Sequence, residues 1–154
     1  LTDAKARALL ETNLHGVVGT VSAILPALLA QGHGTIGIVS SVAGYGGLPK
    51  ALVYGASKAA LINFAETLYL DLAPRGLGVA LINPGFVRTP LTDRNAFPMP
   101  YLISADEAAA EIVAGLERGD FEIHFPRAFS RRLKLLRLLP YRWYFAIVRK
   151  ATGI

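Results

Sequence analysis

The sequence predicts an α/β fold built on a parallel sheet. Three observations carry that reading. Helical and apolar extended segments alternate along the chain as helix, strand, helix, strand, helix, strand. Such alternation places crossover helices between parallel strands. Two of the extended segments, Thr35–Ser40 and Val79–Asn83, are continuous apolar runs, as strands buried on both faces are. Each of these two runs opens into small or turn-forming residues, and open parallel sheets bind ligands beyond the C-terminal ends of their strands.

Composition agrees with a packed domain. The chain has 154 residues, 53% of them hydrophobic and 18% charged, with a mean hydropathy of +0.41. That is enough chain for one ordinary core and too apolar for a disordered segment. No cysteine is present, which excludes disulfide frameworks and cysteine-based nucleophiles or metal sites. His15, His33 and His124 are far apart, none in a metal-ligand spacing, and read as ordinary surface or satisfied core residues.

The first helix starts at Thr2, a capping residue, and its pattern runs through Glu11-Thr12-Asn13-Leu14-His15-Gly16 towards Ala30. No Lys, Arg, Asp or Glu occurs from Thr12 to Pro49, a length that raises the question of a membrane span. Asn13, His15, Thr20, Ser22 and Pro26 interrupt the first half, and Gln31-Gly32-His33-Gly34 breaks it. A core helix followed by a core strand is therefore expected. Asn13, polar within an apolar helix, is either a surface position or a buried side chain that holds a water or a bend.

The strand Thr35–Ser40 leads into Ser41-Val42-Ala43-Gly44 and a loop with Gly46, Gly47 and Pro49. A long helical pattern then runs from Tyr54 to Leu72, with Leu61, Phe64, Ala65 and Leu68 at helical spacing, and stops at Pro74-Arg75-Gly76. The second strand ends in Pro84-Gly85-Phe86-Val87-Arg88-Thr89-Pro90. Leu91 to Ile103 is irregular, with Asn95, Pro98 and Pro100 able to flex a lid. Ser104 caps the next helix, Ala105–Glu117, and Glu107 completes a capping box. Phe121–Phe125 alternates and reads as a third strand.

Within this frame, Tyr54 and Lys58 lie four positions apart and share one helix face. An ammonium beside a phenol favours the phenolate, so the tyrosine can exchange protons nearer neutral pH. That is an acid/base device for reducing a carbonyl or oxidising an alcohol.

Five landmarks then fall in one order: Asn13 in Thr-Asn-Leu-His-Gly, Ser41 in Ile-Val-Ser-Ser-Val-Ala-Gly, Tyr54 with Lys58 in Tyr-Gly-Ala-Ser-Lys, Pro84-Gly85, and Val87 with Thr89. Together they resemble the short-chain dehydrogenase/reductase family, over nearly the whole chain up to Pro126. The resemblance implies a Rossmann-like doubly wound parallel sheet and a catalytic tetrad of Asn13, Ser41, Tyr54 and Lys58. Ser41 takes the serine role because it is the second of its pair and lies thirteen positions before Tyr54; Ser40 is then a structural strand-end residue. Tyr54 would be the acid/base, Ser41 would bond the substrate oxygen, and Asn13 would hold a water linked to Lys58. Lys58 would lower the Tyr54 pKa and bind the nicotinamide ribose of NAD or NADP. Pro84 and Gly85 would let the backbone approach the nicotinamide ring, and Thr89 with the Val87 backbone would hold its carboxamide.

The family also begins with a strand and a glycine-rich turn that receives the pyrophosphate, and no such fingerprint occurs. Gly44-x-Gly46-Gly47 follows the Ser41 strand and precedes the Tyr54 helix, which is the wrong context. The residue that sorts NAD from NADP is also missing. The expectation is a C-terminal half of the doubly wound fold over residues 1–126, followed by a basic tail over residues 127–154. The implied function is interconversion of a carbonyl and an alcohol on a small substrate. The alternative is a non-enzymatic half-domain that pairs through its helices and docks through the tail. The helices of Asn13 and Tyr54 are the family's usual pairing faces, implying a homodimer or homotetramer.

Charge is uneven. Residues 1–126 hold eight Lys+Arg against eleven Asp+Glu, and residues 127–154 hold eight Lys+Arg and no acid. In the tail, Tyr141, Tyr144, Phe145 and Val148 share one helix face, with Arg142 and Arg149 on another, whereas Leu135 and Leu138 fall among arginines. Such a basic amphipathic segment suits an anionic membrane surface, or else packs on the domain or a second subunit. The acidic remainder argues against nucleic acid. Resemblance to bacterial members with such a tail implies apolar or lipid-like substrates; the expected location is cytoplasmic, with membrane association if the tail binds a bilayer.

Overall fold

The structure, a computed structural model, describes residues 1–90, 92 and 99–153. Among the described residues the sheet has three strands: β1 (Gly34–Val39), β2 (Leu77–Pro84) and β3 (Glu122–Phe125), ordered β1-β2-β3. All pairings are parallel, with β1 in register from Gly34 opposite Leu77 to Val39 opposite Ile82, and β2 from Leu81 opposite Glu122 to Pro84 opposite Phe125. The α/β reading from the sequence holds, including a parallel sheet with helices between its strands. β2 begins two residues earlier than the apolar run suggests, because Leu77, only 2% exposed, already belongs to the core.

The period-two alternation of β2 divides the core in two. Leu77, Val79 and Leu81 face one side with Ile36, Ile38, Val21 and the Leu61, Ala65, Leu68 and Leu72 row of a long helix, α3 (Leu52–Leu72). Ala80 and Ile82 face the other side with Ile123, Phe125 and Ala108. Ala108 lies on a later helix, α4 (Ala105–Arg118). Helices thus cover both faces, as in a doubly wound sheet. Burial of each Val, Leu, Ile or Phe among them contributes roughly 1.5–3 kcal/mol.

The first helical stretch is continuous from Asp3 to Gln31 and does not break at Pro26. It comprises α1 (Asp3–Leu10), a π-helical turn Glu11–His15, and α2 (Gly16–Gln31). It is long and apolar enough to cross a membrane, yet Val21 is buried in the core and Leu14, Val17, Leu25, Leu28 and Leu29 pack around it. The expectation of a core helix needs one correction: only one side is covered, and Ile24 on the other side is exposed. β1 is similarly one-sided. It pairs with β2 alone among the described residues, and Val39 is 52% exposed on its uncovered face.

The capping box of α4 forms as the sequence predicts. The Ser104 hydroxyl accepts from the Glu107 N–H at 3.2 Å, and a Glu107 carboxylate oxygen accepts from the Ser104 N–H at 2.8 Å. Of the expected lid, Asn95 and Pro98 lie outside the described residues; Pro100 sits in a turn.

Two helices, α5 (Arg127–Arg137) and α6 (Tyr141–Thr152), make up the tail. The inner side of the tail packs on the domain. Tyr144 and Val148 are buried, the Tyr144 hydroxyl donates to the Gly47 carbonyl at 2.8 Å, and Ser130 is wholly enclosed. The face expected from the sequence is split: Tyr144 and Val148 are covered, whereas Tyr141 and Phe145 stay exposed and stack at 5.5 Å.

Candidate active site

The C-terminal end of β1 and the start of α3 meet because one residue lacks a side chain. A Cβ on Gly44 would lie 2.8 Å from the Lys58 backbone carbon and 2.9 Å from the Ala59 nitrogen. Glycine lets the loop after β1 lie directly on α3. Ser40 locks the contact, since its buried hydroxyl donates to the Lys58 carbonyl at 2.8 Å. This supports its reading as a structural strand-end residue.

Ser41 sits in the same loop, 8% exposed. Its hydroxyl accepts from the Ala43 N–H at 3.1 Å and donates to the Pro84 carbonyl at 3.4 Å. The bond to Pro84 places the serine beside the end of β2. Tyr54, in the first turn of α3, is 41% exposed. Lys58 lies one turn on, with its Nζ 5.8 Å from the centre of the Tyr54 ring and donating to the Val39 carbonyl at 3.0 Å. Burial lowers the Lys58 pKa from its ordinary value. The structure therefore brings Ser41, Tyr54 and Lys58 to one end of the sheet.

Asn13 arrives differently. It lies in the π-helical turn, and its amide donates to the Ser57 hydroxyl at 3.3 Å. Ser57 is fully buried and donates to the Tyr54 carbonyl at 2.8 Å. Asn13 thus reaches the first turn of α3 through Ser57. A π-turn inserts one extra residue per turn and re-aims the side chains around it, a device frequent at functional sites. Ser57 escaped the sequence reading, although its place three residues after Tyr54 on the same helix face was available.

The expected cofactor contacts behave unequally. A Cβ on Gly85 would meet Pro126 Cδ at 3.1 Å and Phe129 Cδ1 at 3.2 Å, so packing against the start of α5 leaves little room for a side chain there. Thr89 is engaged within its own loop. Its N–H donates to the Thr92 hydroxyl at 2.8 Å, and that hydroxyl also lies 2.7 Å from the Val87 carbonyl.

One polar cluster was not foreseen. Glu122, on β3, gathers donors from three separate elements. The Tyr45 hydroxyl donates to it at 2.6 Å, the Asn83 amide at 2.9 Å, and Lys134 Nζ binds its other oxygen. Burial pushes the Glu122 carboxyl upward, but the bonds from Lys134, Tyr45 and Asn83 outweigh it and hold the pKa below its ordinary value. Burial, then the bond to Glu122 and its charge, push the Tyr45 phenol well above its own. The cluster ties the Ser41 loop, the residue before Pro84-Gly85, and the tail to one carboxylate. His124, beside it, shares a 2.7 Å hydrogen bond with Ser130, and burial followed by the Lys134 charge lowers its pKa. A cavity of about 340 Å³ on this side of β3 is lined by Glu122, His124, Arg127 and Arg131 among others, and by none of the expected site residues.

Comparison with known proteins accords with this geometry. The family model for short chain dehydrogenase matches residues 1–97. An uncharacterized oxidoreductase of Myxococcus xanthus is 38% identical over 146 residues, covering 95% of this chain and 58% of its own length. A short chain dehydrogenase from Burkholderia cenocepacia, solved in complex with NADP, superposes with a TM-score of 0.81 at 30% identity, covering 93% of this chain and 58% of that one. A short chain dehydrogenase/reductase from Burkholderia phymatum, solved with NAD, gives 0.71 at 26% identity, covering 82% of this chain and 55% of that one. The chain thus spans a little over half the length of these relatives. With its parallel sheet, its helices on both faces and the matched model over residues 1–97, this chain belongs to the short chain dehydrogenase family.

Proposed function

We propose that this chain carries the hydride-transfer end of an NAD- or NADP-dependent oxidoreductase that interconverts a small carbonyl compound and its alcohol. The observation that carries the reading is the placement of Lys58 beside Tyr54 at the end of β1, next to a nearly buried Ser41. The donor set fits a nicotinamide riboside: Lys58 uses one ammonium proton on Val39, leaving two for ribose hydroxyls, and the Tyr54 ring is open to solvent.

The bound nicotinamide supplies or accepts the hydride. Tyr54 gives its phenolic proton to the carbonyl oxygen during reduction and removes the alcohol proton during oxidation. The Lys58 charge stabilises the phenolate left behind. Ser41 turns its hydroxyl from the long Pro84 bond to the substrate oxygen and steadies the charge that develops there. Asn13 holds the first turn of α3 through Ser57, and so positions Tyr54. Thr89 and the Val87 backbone would hold the carboxamide in place of their present bonds to Thr92. We assign the choice between NAD and NADP to no residue of this chain. Self-association through α2 and α3 belongs to the same reading, supported by exposed Ile24, Leu52 and Leu70 on these helices.

The test is reduction of a ketone panel by NADH and NADPH. Tyr54→Phe should lower turnover by about 10²–10⁴ with an unchanged far-UV spectrum, and Lys58→Met should weaken cofactor binding as well. Wild-type turnover in Tyr54→Phe would overturn the assignment.

A further inference from the structure

The tail presents two different sides. Its inner side holds the domain through Ser130, Tyr144, Val148 and the Lys134–Glu122 pair. On α6, the row opposite Tyr144 and Val148 holds Arg142, Ala146 and Arg149, since each residue turns the helix by about 100°. Trp143 and Phe145 flank that row, and Trp143 is 62% exposed. On α5 and the turn after it, Leu135 and Leu138 stand in solvent beside Arg131, with Leu138 80% exposed. Arg142, Arg149 and Lys150 have no acidic partner among the described residues.

Exposed leucines and aromatics interleaved with unpaired cations fit one kind of partner best. Guanidinium and ammonium groups pair with phosphates at the headgroup level, while Trp and Leu enter the apolar boundary just below. Tail-on-tail pairing of two copies is disfavoured on this side, because residues 127–154 carry eight cations and no acid and would meet with like charge.

We propose that the outer side of α5 and α6 is a peripheral docking surface for an anionic lipid bilayer. Arg142, Arg149 and Lys150 contact headgroup phosphates, and Leu135, Leu138 and Trp143 enter the interfacial layer. The inference holds whether or not Tyr54 reduces carbonyls.

Trp143 is the only tryptophan of the chain, so intrinsic fluorescence reads the tail directly. The protein is mixed with vesicles of phosphatidylcholine alone or with phosphatidylglycerol added. The expected result is a blue shift and co-sedimentation with the anionic vesicles, at least about tenfold stronger than with the neutral ones and weakening as salt rises. The double variant Arg142→Glu/Arg149→Glu should lose about tenfold or more of that binding and keep its far-UV spectrum, since both side chains stand in solvent. Leu138→Ser should weaken binding with the charge unchanged. No blue shift, equal binding to both vesicles, or full binding by the double variant would overturn the proposal. So would a shift that grows with protein concentration in the absence of vesicles, which would place a second copy on this side.

Discussion

Ser40 and Ser41 are neighbours with separate duties. The Ser40 hydroxyl is committed to the Lys58 carbonyl at 2.8 Å, whereas Ser41 holds Pro84 only at 3.4 Å and can turn away. Ser40→Ala should therefore cost about 1 kcal/mol of stability, seen as a lower urea midpoint, with catalysis in the folded protein nearly intact. Ser41→Ala should lower kcat by about 10²–10³ at an almost unchanged midpoint. A reversal of that pattern would exchange their roles. At this scale the sequence was informative where function depends on close spacing: Tyr54 and Lys58 share a face because they are four apart. Glu122 was opaque for the opposite reason. Its partners Tyr45 and Asn83 lie 77 and 39 positions away, and only the paired strands and the packed loop bring them together.

At the scale of elements, the strands and caps were legible because they follow local rules. Continuous apolar runs gave β1 and β2, and Ser104 with Glu107 marked the start of α4. The π-helical turn around Asn13 was not legible, because it keeps helical periodicity to within one residue and its consequence, the bond to Ser57, is tertiary. The split of the tail was hidden too, since a helical wheel gives the apolar face but not how much of it the domain covers. The contact between the Ser41 loop and α3 rests on Gly44. Gly44→Ala would push a methyl group to 2.8 Å from the α3 backbone, which cannot give way as a side chain can. The expected loss is about 1–3 kcal/mol together with a fall in kcat, because the loop that lifts off carries Ser41. Thermal unfolding and initial rates measured on the same preparation check both.

At the scale of the molecule, three elements distant in sequence converge on one carboxylate, and this makes the latch between tail and domain sensitive to acid. Glu122 is held below its ordinary pKa in the folded chain. Its contribution is therefore complete above the ordinary carboxylate value and is lost as pH falls through the folded one. Glu122→Gln should cost about 1–2 kcal/mol at neutral pH, discounted for the part of the Lys134 pair that solvent screens. The difference in Tm between wild type and variant should shrink as the solution is acidified. A difference that stays constant from neutral to acidic pH would show that Glu122 acts through shape and not through charge. The fold class was legible at this scale from the order of elements alone. The uncovered faces of β1 and α2 were not, since burial depends on what stands beside an element and not on its own residues.

The proposed role of Tyr54 is to exchange the proton that accompanies hydride transfer to a carbonyl carbon. Its most direct measurement follows the label from a nicotinamide cofactor deuterated at C4 into the product alcohol by mass spectrometry, for wild type and Tyr54→Phe. Deuterium is expected on the carbinol carbon with wild-type protein, in a yield at least about 10² lower with the variant. Equal label with both proteins would contradict it.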